Sequence, residues 1–121
     1  MNRRHRLRGR AAFMAVRRRR ASGSTQALRV GVAENRFGVA RVGFAIPKAT
    51  GSAVVRNRLR RQLREALRPR LEALAGVDVV VTARPDAATL GWREVVDAVS
   101  RSVETARRAL AAPHRRGGRT P

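Results

Sequence analysis

The sequence contains no cysteine and no tyrosine, and its aromatic side chains are limited to Phe13, Phe37, Phe44 and Trp92. Without cysteine there can be no disulfide staple, thiolate nucleophile, zinc ribbon or iron–sulfur ligand set. No apolar run approaches the ~20 residues that cross a bilayer. The Arg-rich first twenty residues also lead into no apolar segment of signal-peptide type, so a soluble, cytoplasmic protein is expected. Acidic residues are scarce: 8 Asp and Glu stand against 28 Lys and Arg, a net charge of +20. The carboxylates, Asp78, Asp86 and Asp97 among them, are scattered, and no two are spaced for a metal site or an acid–base couple. That argues against a self-sufficient nuclease, which needs clustered carboxylates for magnesium. His5 and His114 stand alone in basic terminal segments and suggest no protein-held metal.

What is present is enough for one domain. A chain of 121 residues with 43% hydrophobic content can bury roughly 65% of its unfolded surface. The charge is uneven. The first twenty residues hold nine Arg and no acid, and residues 35–70 hold nine Arg and Lys48 against Glu65, whereas residues 71–114 are near balance. A field of this strength attracts a polyanion, either nucleic acid or an anionic membrane. The membrane reading is weaker, because the most basic helical stretch carries no Trp or Phe. All basic residues but Lys48 are Arg, whose planar fork grips phosphate and stacks on bases; a genomic bias toward Arg accounts for the excess equally well.

Periodicity predicts a single α/β (α+β) domain in the order α-β-β-α-β-α, with three helices and a small mixed sheet. Residues 9–16 read as a short helix that ends in Arg17–Arg20 and is broken by Ser22-Gly23-Ser24. Residues 27–33 form a strand with Leu28, Val30 and Val32 on one face. A turn then leads to a second strand over 39–46, expected to pair with the first as an antiparallel hairpin. From Ser52, placed as an N-cap, Val55, Leu59, Leu63 and Leu67 recur at i+4, and Pro69 stops or kinks that helix. Residues 77–83 read as a buried strand. The last helix runs from Trp92, expected to pack on the sheet, to Leu110 before Pro113. The domain spans 1–112, and 113–121 reads as a disordered basic tail.

The chemistry lies in the helix after Ser52. Arg60, Arg64 and Arg68 repeat at i+4 beside Arg61 and Asn57, with Glu65 as the nearby counter-charge. Like charges at that spacing destabilise a helix by roughly 0.2–0.5 kcal/mol per pair unless a polyanion lies against them. An Arg-Asn-Arg start, Arg56-Asn57-Arg58, adds forked donors and an amide able to hold phosphate, 2′-hydroxyl or base edges. Spacing alone does not choose DNA or RNA. A ribosomal or DNA-binding structural protein remains an alternative, although strands flank the basic helix where a helix-turn-helix needs a second short helix.

These residues resemble the protein subunit of bacterial ribonuclease P. The resemblance rests on Arg6-Leu7 followed by Phe13, on Arg41-Val42-Gly43-Phe44, and above all on the run from Gly51 to Arg61 with Leu63-Arg64-Glu65-Ala66. It implies a fold with an unusual left-handed β-α-β crossover, against the right hand of ~98% of such units. It also implies a ribonucleoprotein that removes the 5′ leader of precursor tRNA, with the chemistry carried by RNA and magnesium. No catalytic side chain, membrane or small-molecule ligand is implied. Contact with the RNA subunit is expected from Arg56, Asn57, Arg58, Arg60, Arg61 and Arg64, with Arg68 continuing the repeat. The leader is expected in a cleft between that helix and the sheet. Phe13 matches an aromatic position of that cleft and also suits a core anchor, and Phe44 is either core or cleft floor. Arg17, Val30 and Lys48 complete the set expected in that cleft, although Arg17 and Val30 stand where relatives commonly carry aromatics and Lys48 is left alone of a basic pair.

Overall fold

A computed structural model describes residues 3–112; the expectations for the 113–121 tail and for His114 lie outside the described residues. The helices are α1 (Arg10–Arg19), α2 (Ala53–Leu67) and α3 (Trp92–Ala111), and the strands are β1 (Ala21–Ser24), β2 (Leu28–Glu34), β3 (Arg41–Ala45) and β4 (Val77–Ala83). Together they form a mixed sheet in the order β1-β2-β4-β3. This is the expected α+β domain with three helices, plus one strand where the sequence reads as a break. Among the described residues no helix is long and apolar enough to cross a membrane.

The expected hairpin is corrected. β2 and β3 do not pair with each other; β4 lies between them, antiparallel to β2 and parallel to β3. The hairpin partner of β2 is β1, with Gly23 opposite Val30. Ser22-Gly23-Ser24 is a strand because α3 packs directly on it. A Cβ at residue 23 would collide with Ser102 O and Thr105 Cβ, so the close approach of the helix demands glycine.

The sheet is covered unequally on its two faces. Leu28, Val30, Val32, Val79, Val81 and Ala83 belong to the main core with Leu59, Leu63 and Leu67 of α2 and Val95, Val99 and Val103 of α3. A smaller cluster under α1 joins Leu7, Val16 and Ala33, with Phe13 and Val80 packed against it. Because the Val30 side of β2 is sealed by helices, the α1 side is where part of the sheet remains open.

Local chemistry fixes the ends of α2 as expected. Ser52 Oγ accepts from the Val55 N–H at 3.3 Å, and the helix ends at Leu67, before Pro69. Trp92 departs from expectation: it is 47% exposed. Its phase along α3 matches the buried stripe, but side chains lean toward a helix's N-terminus, so that of the first residue leans off the end of the packed layer.

The β3–β4 register places Arg41 opposite Asp78. Arg41 Nε donates to Asp78 Oδ1 at 2.8 Å and its Nη2 to Oδ2 at 2.7 Å, a bidentate pair with the carboxylate nearly buried. Hydrogen bonding to Asp78 holds the Arg41 pKa above its ordinary value. This pair fastens the edge strand to the centre of the sheet.

Candidate nucleic-acid interface

Two grooves meet at Phe13. The first, of ≈ 250 Å³, lies between α1 and the open face of the sheet. Gly31, Val80, Thr82 and Ala45 form its floor, Phe13 and Met14 an apolar wall, and Arg17, Arg20 and Arg29 a basic rim. Arg20 holds the left-handed conformation, φ 60°, uncommon for a residue with a Cβ. That conformation turns the chain from α1 straight into β1.

The second groove, of ≈ 340 Å³, runs along the exposed edge of the sheet between β3 and α2. Val42, Gly43 and Phe44 line its floor, and four guanidinium groups surround it: Arg6 and Arg8 from the N-terminal segment, Arg60 and Arg64 from α2. No carboxylate lines either groove among the described residues. Phe13 borders both, with its ring tip occupying the space that a Cβ on Gly43 would need. The leader cleft expected between the Arg-rich helix and the sheet is corrected in place: a groove does lie there, but of the expected pair Phe13 and Arg17 only Phe13 borders it, and both line the α1 groove, which sequence reasoning missed.

The α2 residues divide into two flanks. Arg60 and Arg64 are half-buried beside the edge groove, and Asn57 and Arg61 are exposed on the same flank. Arg60 Nη1 donates to Asn57 Oδ1 at 3.3 Å. Arg56 is turned back on the helix entry, its Nε donating to Gly51 O at 3.1 Å. Arg58 lies on the opposite flank and is spent on the fold: its Nη2 donates to Ala88 O at 2.7 Å, and its Nε is buried without a partner in the chain. Arg68 is exposed and paired with Glu65 at 2.7 Å. That hydrogen bond holds the Glu65 carboxyl below its ordinary pKa.

Among the residues expected in the leader cleft, Phe13 and Arg17 line the α1 groove together. Val30 is a correction: it is fully buried in the main core, on the face away from α1, because the two-residue period of β2 turns it toward α2 and α3. Its neighbours Arg29 and Gly31 line the groove in its place. Phe44 is half-buried against the main core and reaches only the edge groove, alongside Arg60 and Arg64. Lys48 is exposed in a short 3-10 turn beyond the end of β3 and lines neither groove.

A narrow basic channel with an apolar wall suits a single-stranded polyanion, since guanidinium groups can take phosphates and an aromatic wall can meet bases. Residues 1–107 match the model of the family described as Ribonuclease P. A ribonuclease P protein component from Kocuria rhizophila is 40% identical over 112 residues, covering 89% of this chain and 96% of that one. One from Bartonella quintana is 39% identical over 114 residues, covering 86% of each. Among solved structures, the RNase P protein from Staphylococcus aureus matches with a TM-score of 0.78 at 22% identity over 84% of this chain and 94% of that one. The one from Thermotoga maritima matches with a TM-score of 0.68 at 26% identity over 78% of this chain and 91% of that one.

Proposed function

Since the chain belongs to the ribonuclease P protein family, we propose that it binds the catalytic RNA subunit of ribonuclease P and the 5′ leader of precursor tRNA, and so assists removal of that leader in the cytoplasm. The α2 flank formed by Asn57, Arg60, Arg61 and Arg64 meets the RNA subunit, and the groove between α1 and the sheet takes the leader. The observation that carries this reading is the meeting of two carboxylate-free, Arg-lined grooves at Phe13.

Among the described residues no three side chains of His, Cys, Asp or Glu gather as metal ligands do. Magnesium held by the RNA subunit, as that subunit's cofactor, would supply activation of water and stabilisation of charge on the cleaved phosphate. The chain's own residues bind and orient. Arg17, Arg20 and Arg29 neutralise leader phosphates in a groove whose walls restrict the strand's freedom, and Arg60 and Arg64 hold the same protein face against the RNA subunit.

The reading is tested by comparing precursor tRNA with and without its leader. The protein should tighten holoenzyme binding of the leadered substrate only, and Arg17→Ala with Arg29→Ala should erase that preference while leaving affinity for the RNA subunit unchanged. Equal tightening of both substrates would rule out leader recognition.

A further inference from the structure

The connection between β2 and β3 presents an aromatic side chain that neither groove uses. Phe37 is 62% exposed in a chain with only four aromatic residues. Burial would be the default for such a ring, yet this one is held outward by a small built network. The Phe37 N–H donates to Asn35 Oδ1 at 2.8 Å. Asn35 Nδ2 in turn donates to Val39 O at 3.0 Å and to Asp78 Oδ1 at 2.8 Å. The Arg41 guanidinium stands 4.1 Å from the ring centroid and is itself clamped bidentately on Asp78. The ring thus has a cation against it while most of the residue stays in solvent.

The surroundings favour a polyanion. Arg36 is adjacent and exposed. His5 Nδ1 donates to Ala40 O at 2.8 Å, and Arg6 bridges to Val42, which fastens the N-terminal turn to the start of β3. Exposed Arg3 and Arg4 are thereby delivered to the same end of the sheet. The carboxylate of the network, Asp78, is nearly buried and neutralised by Arg41.

We propose that Phe37 is a stacking platform for an unpaired base of bound RNA, with Arg36 and the Arg3–Arg4 turn taking the flanking phosphates and with Asn35, Arg41 and Asp78 as positioning residues. This rests on the RNA-binding reading above and adds a binding point away from both grooves. A ring that merely shields the Arg41–Asp78 pair could be replaced by any apolar side chain of similar size, whereas stacking needs the π face.

The test uses the full chain with a ribonuclease P RNA transcript and, in the holoenzyme, with precursor tRNA. Phe37→Leu keeps the apolar cover and should weaken binding about 5- to 100-fold without changing the salt dependence, since every phosphate-binding cation is kept. A loss confined to the transcript assigns the base to the RNA subunit, a loss confined to precursor tRNA assigns it to the substrate, and a loss on both makes the platform common to the two. Affinities within twofold of wild type on both would overturn the proposal. If Phe37→Leu does not fold, Phe37→Trp in a Trp92→Phe background decides: its emission should be quenched at saturating RNA, and unchanged emission with both RNAs would overturn the proposal. Failure of the wild-type chain to bind either RNA would instead remove the underlying RNA-binding reading.

Discussion

The ring of Phe13 and the backbone of Gly43 share one space: a Cβ added to residue 43 would lie 3.0 Å from Phe13 Cε1 and 3.1 Å from Cε2, and closer still to Cζ. The glycine in Arg41-Val42-Gly43-Phe44 is therefore a seat for the aromatic side chain at the junction of both grooves. Gly43→Ala should displace Phe13 and cost about 1–3 kcal/mol in urea unfolding, as overpacked sites do. Leader affinity should fall with it, and a variant as stable as wild type would show that α1 is free to shift.

Arg60 and Arg64 border the edge groove, whereas Arg58 is bonded to Ala88 O on the other flank. Arg60→Ala with Arg64→Ala should lower RNA affinity and flatten its log–log salt dependence by up to ~0.9 for each phosphate that these side chains neutralise. Arg58→Ala should leave that slope alone and cost about 1–3 kcal/mol of stability, the loss expected for a hydrogen bond from a charged donor. Salt titrations and urea melts on wild type and these two variants separate the two roles. Equal slopes in all three would mean that the α2 groove flank is only solvated.

Asp78 accepts from both Arg41 and Asn35. Asp78→Ala leaves a half-buried guanidinium without its partner, and a loss of about 2–4 kcal/mol is expected in urea unfolding. Because the pair ties edge strand β3 to β4, amide exchange should quicken first along residues 41–45.

Glu65 occupies Arg68 on an exposed part of α2. Glu65→Gln should free that guanidinium and tighten RNA binding several-fold at low salt, with a steeper salt dependence. Acid acts in the same direction. The folded Glu65 carboxyl is held below its ordinary pKa, so the pair persists above that ordinary value and is lost as the pH falls through the lower, folded one. RNA binding measured against pH should show this extra gain in wild type and not in Glu65→Gln.

What could be read from the sequence was local. The i+4 stripe of Leu59, Leu63 and Leu67, the Ser52 cap and the stop before Pro69 are set by neighbours within a turn or two, and all appear as expected. The insertion of β4 between β2 and β3 was hidden, because parallel pairing across a crossover leaves no mark in either strand. Ser22-Gly23-Ser24 looked like a break because its small residues answer to α3, some 80 positions away in the chain. At Val30 the strand period and the family resemblance disagreed. The period, which put Leu28, Val30 and Val32 on one face, describes the structure. The α1 groove went unseen because its floor is made of small residues from three strands, and its signal is only the cluster Arg17, Arg20 and Arg29 beside Phe13.

The most direct measurement is reconstitution: the purified chain added to a ribonuclease P RNA, with leader cleavage of precursor tRNA followed at limiting magnesium. The grooves and their arginines should raise the cleavage rate at low magnesium, with the gain shrinking as magnesium rises, because protein cations replace part of the ionic screening that the RNAs need. A cleavage rate unchanged by the protein at every magnesium concentration would contradict the assignment of this chain as the protein partner of that RNA.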